Sequence, residues 1–404
     1  MSEALPDSNT SRRDARPWRR IGLKLGLALV VVLVHGLWHG LRFPPLQYDP
    51  GPLPTANEVD RLEIEAIGAY LRQEPEGIVL RAFSPEPQIV FSTGKKGWSG
   101  EVLLENIHPE IDFLHDDFLV CRPGLTSHIE INLPPHASTR LELKFPPRRT
   151  ISFAVIGDGG GRGEIAWCFK RASDLNADFV LHLGDIAYNA DDFASASRIW
   201  NESDIPIFTA VGNHDFHGNG EKRHRFFMEN FGPLNSAFKL NDVWFLNLDT
   251  AADSFPASGG YRGDFLDDFA EKMTSDTGQL IVFSHKPLFD PRVLLGQLAP
   301  EDSHGLDRKR EANWLREQLL ELNAQALLCG HLHYSYDFND HGLRTLIAGE
   351  GLGANGDSSR ILMGEISAGQ TPVFHWELLE MPIDAHGWGV STPTAISWWP
   401  PQLQ

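Results

Sequence analysis

The chain has 404 residues, 42% of them hydrophobic, enough for two domains and a substantial core. Its formal net charge of −19 excludes nonspecific nucleic-acid binding, which needs a basic face, so no nucleic-acid scaffold is expected; an anionic substrate must be attracted locally, by metals or a few cations. Three cysteines exclude a disulfide framework, and Cys168 in a helix and Cys329 in a buried strand read as small core residues.

Residues 1–20 are polar and carry Arg12, Arg13, Arg16, Arg19 and Arg20. An apolar segment follows from Ile21 to Leu41, with Lys24 near one end and His35 and His39 near the other. Its uninterrupted apolar core is shorter than the roughly 20 residues that span a bilayer comfortably. Basic residues before it place the N-terminus in the cytoplasm. We read 21–41 as an uncleaved, single-pass transmembrane helix, with the rest of the chain on the extracytoplasmic side, periplasmic or extracellular. The rival is a cleavable signal peptide, best cut near Val34-His-Gly36, which would release a secreted form.

Residues 42–76 read as a linker and a helix. Pro44, Pro45, Pro50, Pro52 and Pro54 stiffen the linker, and Asn57 caps a helix over Glu58–Arg72 with apolar residues at Val59, Leu62, Ile64, Ile67 and Leu71. Residues 77–147 read as a small all-β sandwich, with short runs at 77–83, 88–91, 101–104, 118–120, 128–132 and 140–145 separated by turn residues. From residue 148 to about 380, strands alternate with helices, which predicts an α/β domain. The tail from Met381 to Gln404, with Trp388, Trp398 and Trp399, is expected to be extended.

Five segments of the α/β domain share one arrangement: an apolar strand, a glycine or serine, then side chains able to hold a metal. They are Ile151–Gly160 ending in Asp158, Leu181–Tyr188 with Asp185 and Tyr188, and Phe208–Asp215 with Asn213, His214 and Asp215. Leu280–Pro287 carries His285, and Ala326–His333 carries His331 and His333. Each alone is weak: an Asp after a strand caps helices, and Asn-His-Asp makes turns. Together they predict that strands of a sheet bring these loops to one edge. Oxygen donors with imidazoles suit iron, manganese or zinc.

These segments resemble the metallophosphoesterase, calcineurin-like superfamily, and within it the purple acid phosphatase type. Most of that superfamily has Asp-x-His in the first segment, whereas here Gly160 stands at the histidine position; the purple acid phosphatase pattern has Gly there and Tyr in the second segment, as Tyr188 is here. The resemblance covers about 150–350. It implies a two-sheet α/β sandwich with helices outside, and an acid phosphatase-like phosphoric monoester hydrolase with two metal ions, Fe plus Fe, Zn or Mn. Asp158, Tyr188 and His333 would hold one metal and Asn213, His285 and His331 the other, with Asp185 bridging. His214 would assist catalysis as proton donor or phosphate contact, oriented by Asp215.

Elementary chemistry agrees. Two cations about 3.5–4 Å apart polarise phosphoryl oxygens and lower the pKa of bound water, supplying a hydroxide nucleophile. The leaving alcohol then needs a proton, for which an imidazole is suited. On the substrate side stand Asn213, His214 and His304. Arg292, Arg308 and Lys309 offer charge for an anion, though a solvated helix face explains the last two equally. His217 and His224 read as substrate contacts or as surface. The Gly159-Gly160-Gly161 run reads as a tight turn or a backbone cradle for phosphate. The expected substrate is a small phosphomonoester; the alternative is a phosphodiesterase acting on nucleotides or lipid headgroups.

Overall fold

The structure is a computed structural model that describes residues 30–31, 51–74, 77–114, 119–121, 124–188, 190–216, 222–251, 260–274, 276, 278–353 and 359–379. Of the expected transmembrane helix only Val30 and Val31 are among them. Residues 1–20, the proline-rich start of the linker and the tail from Met381 lie outside them. Among the described residues no helix is long and apolar enough to cross a membrane.

The N-terminal strands are β1 (Ala56–Val59), β2 (Leu62–Ile67), β3 (Ala69–Glu74), β4 (Gly77–Ala82), β5 (Gln88–Thr93), β6 (Trp98–Glu105), β7 (Asp112–Leu114), β8 (Leu119–Cys121), β9 (Ser127–Leu133) and β10 (Ser138–Lys144). They form two five-stranded sheets, ordered β1-β2-β5-β10-β7 and β3-β4-β6-β9-β8. The sheets share one apolar core, with Leu62, Ile64, Ile89 and Leu141 from the first and Leu80, Val102, Leu104 and Ile129 from the second.

The helix expected over Glu58–Arg72 is absent: the segment forms β1, β2 and β3. In β2 the side chains alternate strictly, Leu62, Ile64 and Ala66 buried and Glu63, Glu65 and Ile67 exposed. That is the period of a half-buried strand. Asp60 and Arg61, at φ 49° and 76°, make a two-residue turn that pairs Val59 with Leu62. Neither is glycine, so the hairpin lacked its usual sequence mark. Gly68, at φ 79°, then breaks the chain between β2 and β3.

The α/β part contains strands β11 (Thr150–Ile156), β12 (Phe179–His182), β13 (Ile207–Thr209), β14 (Ser236–Leu240), β15 (Val243–Asn247), β16 (Gln279–Phe283), β17 (Ala324–Cys329), β18 (Ser335–Asp340), β19 (Leu343–Ala348), β20 (Arg360–Ser367) and β21 (Val373–Leu378). They form two sheets, ordered β13-β12-β11-β20-β21 and β14-β15-β16-β17-β19-β18. The motif strands are thus divided: β11, β12 and β13 run parallel in one sheet, β16 and β17 in the other. Phenylalanines fill the space between. Phe153 and Phe179 of the first sheet stack at 5.5 Å, and Phe153 meets Phe245 of the second edge-on at 5.3 Å.

Helices α1 (Gly163–Asp174), α2 (Ala190–Asn201) and α3 (Lys222–Asn230) cover the outer face of the first sheet through Ile165, Phe169, Phe193, Trp200 and Phe227. Helices α4 (Gly260–Thr274) and α6 (Lys309–Glu321) cover the second through Leu266, Phe269, Leu315 and Leu319, with the short α5 (Pro291–Leu294) at the end of the fourth motif. The helices therefore lie outside the paired sheets. Asn106 joins the β-sandwich to β13: its amide donates to the carbonyls of Ala82 and Ile207 at 2.8 and 2.9 Å, and its Oδ1 accepts from Ile207 N at 2.9 Å. Cys168 and Cys329 are buried and Cys121 is exposed, all three free.

Candidate metal centre

All five motif loops follow the C-terminal ends of their strands, and parallel strands point those ends the same way. Asp158, Asp185 and His331 take left-handed backbone, at φ 63°, 55° and 67°. Such a conformation costs on the order of 1–3 kcal/mol per residue and collects at functional sites. Glycines flank the ligands because nothing larger fits. A Cβ on Gly330 would come within 2.7 Å of Asp158 Oδ2, and one on Gly212 would collide with the backbone and carboxylate of Asp185.

The loops converge. His285 Nδ1 lies 2.7 Å from the carbonyl oxygen of Leu183, so Nδ1–H donates there and the lone pair of Nε2 points the other way. That lone pair faces Asn213 Oδ1 at 2.9 Å, His331 Nδ1 at 3.2 Å and Asp185 Oδ1 at 3.4 Å. Ligand atoms of Asp185, His285 and His331 all lie within 4.8 Å of one another. Acceptors facing acceptors repel unless a cation sits among them.

The other half is built from Asp158, Tyr188 and His333. Asp158 Oδ2 accepts from His331 N at 2.8 Å. Its Oδ1 is buried with no hydrogen-bond partner and lies 3.5 Å from His333 Nε2. The Tyr188 hydroxyl is 3.2 Å from the same nitrogen. An orphaned carboxylate oxygen beside an imidazole and a phenol fits a hard cation. Gly160 belongs to the same arrangement: a Cβ there would fall 2.6 Å from the Tyr188 ring. The tyrosine occupies the space that a side chain at 160 would need.

The electrostatics describe groups held for a cation. Burial raises the carboxyl of Asp158, and raises that of Asp185 to about 6. Burial lowers His285 to about 4 and pulls His331 down as well. Burial pulls His333 down too, but the Asp158 carboxylate 3.5 Å away outweighs this and leaves it raised. Burial, then the charges of Asp158 and Asp185, raise the Tyr188 phenol. Burial therefore leaves His285 and His331 neutral with lone pairs to offer and keeps the Tyr188 phenol protonated; a bound cation would displace that proton.

His214 is exposed, with its ring 4.7 Å from that of Tyr188 and its backbone N–H donating to Asp185 Oδ1 at 2.9 Å. The Asp215 carboxylate bonds backbone rather than the His214 ring, contrary to expectation. Buried, it accepts from the backbone N–H of Gly212, Ile186, Asp185 and Ala187 at 2.7, 2.8, 3.0 and 3.3 Å. The short aspartate arm turns inward and ties the third motif loop to the second. The Gly159–Gly161 run is a turn, with Gly160 and Gly161 at positive φ and Gly160 N bonded to the Asp185 carbonyl oxygen.

On the substrate side, His304 is exposed with its ring 6.1 Å from that of His331. Arg292 is not a free cation: its Nη2 and Nε donate to Asp290 at 2.7 and 3.0 Å. Arg308 and Lys309 are exposed at the start of α6. His217 and the side chain of His224 lie outside the described residues. Sequence reasoning missed Asp290, although Asp-Pro opening a helix marks a cap. Its side chain does cap α5, accepting from Arg292 N at 3.0 Å.

Residues 151–335 match the family model described as calcineurin-like phosphoesterase. No curated protein matches the chain in sequence. Among solved structures it is similar to the purple acid phosphatase PPD1 of yellow lupin, at 14% identity and a TM-score of 0.48, covering 80% of this chain and 73% of that one. It is also similar to GAP50 of Plasmodium, at 14% identity and a TM-score of 0.42, covering 58% and 86%. A third is a dimetal phosphatase of Danio rerio, at 11% identity and a TM-score of 0.39, covering 55% and 98%.

Proposed function

Residues 151–335 form a calcineurin-like phosphoesterase domain, and from that premise we propose that the protein is a two-metal, purple acid phosphatase-like hydrolase of small phosphomonoesters. The observation that carries this is the meeting of Asp158, Asp185, Tyr188, Asn213, His285, His331 and His333 at one place, with acceptor atoms facing one another and one buried carboxylate oxygen left without a donor.

Asp158, Tyr188 and His333 would hold one cation and Asn213, His285 and His331 the other, with Asp185 between them. We assign them as iron with iron, zinc or manganese, on the strength of oxygen and imidazole donors and a phenol. Bound there, such cations would polarise the phosphoryl oxygens and make water nucleophilic at moderate pH. The chain's own groups do the rest. His214, at the open side, gives a proton to the leaving alcohol oxygen. Leu183 fixes the tautomer of His285, and Asp215 holds the loops that aim Asp185 and His214.

The test is metal analysis and hydrolysis of an aryl phosphomonoester against its diester. His214→Ala should keep its metals and lose about 10²- to 10⁴-fold in turnover; unchanged turnover would refute the role of His214. Preference for the diester would replace the monoesterase reading with a phosphodiesterase. Tyr188→Phe should abolish the broad visible band of an iron-loaded protein, and a colourless, iron-free but active protein removes the purple acid phosphatase type.

We further propose that Ile21–Leu41 anchors the chain in a membrane with the metal centre on the extracytoplasmic side. The support is the five arginines before that apolar segment. Full-length protein recovered wholly in the soluble fraction, uncut, would refute the anchor.

A further inference from the structure

The two edges of the sheet β13-β12-β11-β20-β21 are finished differently. At β13 the edge is occupied: the N–H and C=O of Ile207 both bond Asn106 of the β-sandwich. At β21 no strand among the described residues pairs with the outer side. Leu379 N donates to Ser359 O at 3.0 Å, and an antiparallel ladder alternates bonded with unbonded pairs. Val373, His375 and Glu377 therefore turn their N–H and C=O toward β20. Phe374, Trp376 and Leu378 turn theirs outward, an open template for a further strand. Val373 and Leu378, at the two ends of β21, are 57% and 48% exposed.

The side chains decide which strand fits. The inner face of β21 carries Phe374 and Trp376, packed against the core between the sheets, and Leu378 continues that row. His375 and Glu377 lie on the helix side, opposite Met363 and Ile361, with His375 Nε2 3.5 Å from Glu377 Oε1. This pattern complements itself in one antiparallel register. With a twofold axis at Trp376, Phe374 meets Leu378 of the partner subunit and Trp376 meets Trp376 of the partner subunit. His375 then faces Glu377 of the partner subunit on both sides of the axis. Those are non-hydrogen-bonded pairs, where side chains approach most closely. Every outward N–H and C=O of Phe374, Trp376 and Leu378 finds a partner. An axis at Glu377 would set two carboxylates face to face, and one at His375 would set Val373 against a carboxylate. Edges kept apart by charge typically carry lysine; here the charges are opposite, at the spacing the twofold needs.

We infer that β21 is a self-association edge, through which two copies of this chain pair antiparallel about a twofold axis at Trp376 and join their sheets into one. This goes beyond the hydrolase reading and uses none of its residues. A strand pair alone is a small interface, below the roughly 1,200 Å² of a standard one, so the association is reversible and on the order of 10 μM.

Sedimentation velocity of the full chain from about 1 to 100 μM should show a reversible monomer–dimer equilibrium. Glu377→Lys sets an ammonium against each imidazole, and His375→Glu sets two carboxylates against each other. Each should weaken dimerisation about tenfold or more. Mixed in equal amounts, the two variants should associate as the wild type does, because one contact then joins Glu to Lys and the other Glu to His. Mixing does not restore a folding defect, so this arm separates a lost contact from a damaged fold. Trp376→Pro, which removes only an outward N–H, should also abolish the dimer. A wild type that stays monomeric to about 100 μM would overturn the proposal. So would a dimer that neither charge variant weakens, or variants that mixing leaves apart, since the contact would then lie elsewhere.

Discussion

On the proposed reading, Asp185→Asn should weaken metal binding and lower phosphoester turnover by about a thousandfold or more, the scale of losing one preorganised electrostatic group at a reacting centre. The change keeps size and shape and deletes only the negative charge between the two half-sites. Its second signature separates a ligand from a structural residue. Burial raises the Asp185 carboxyl to about 6 in the metal-free fold, above its ordinary 3.8. A raised carboxyl contributes stability below the unfolded value and loses it as pH rises through the folded one. Metal-free wild type should therefore lose stability between about pH 4 and pH 6, and metal-free Asp185→Asn should not. Above pH 6 the metal-free variant should be at least as stable as metal-free wild type, while metal-loaded wild type exceeds both. Thermal unfolding with and without chelator measures this. A metal-free variant that unfolds well below metal-free wild type at pH 7 would make Asp185 a structural residue and end its bridging role.

His182→Leu should make the protein more stable, increasingly so as the solution is acidified. His182 ends β12 with no exposed surface, its ring 4.8 Å from Trp200 and 6.2 Å from Phe169, and neither ring nitrogen has a partner. Burial, with a smaller push from His285, lowers it to about 3 from its ordinary 6.5. The sign is that of a histidine held neutral. Below about pH 6.5 the unfolded chain takes up a proton that the native one refuses, so stability present above that pH is lost as pH falls toward 3. Each pH unit in that window is worth up to about 1.4 kcal/mol, or about 3 kcal/mol by pH 4. Leucine removes the proton linkage and the two unsatisfied nitrogens together. Denaturant midpoints for both proteins at pH 4, 5, 6 and 8 read out the difference. A constant gap across that range would show that His182 finds a partner or a proton in the native state.

Sequence reasoning failed where two periodicities overlap. Leu62, Ile64, Ile67 and Leu71 can be placed on a helix, but Ile64 and Ala66 repeat at two, and Gly68 interrupts the run between two strands. The hairpin at Asp60-Arg61 reaches positive φ without glycine, so no turn signal warned of it. Asp215 failed for a different reason. Adjacency to His214 suggested a pair, yet consecutive residues in a tight loop point apart, and the inward carboxylate found four backbone donors. Arg292 looked like a free cation because nothing in its neighbourhood along the chain tells whether Asp290 folds back upon it.

By itself the sequence determined which atoms can bind a cation, and that each follows its own strand. Those are matters of residue type and of local apolar runs, which the chain carries within about ten positions. It also carries Gly160 and Tyr188, the pair on which the resemblance to the purple acid phosphatase type rests. Only the tertiary structure decided that two sheets, packed through Phe153, Phe179 and Phe245, bring the first three loops against the last two. Only it decided which way His285 turns its lone pair, that Asp158 keeps a bare oxygen, and that Asp290 joins Arg292 to His304. Those outcomes depend on carbonyls, amides and ring faces contributed from positions as far as 173 residues apart, as Asp158 is from His331. No local pattern encodes such meetings, because they follow from the packing of the whole domain.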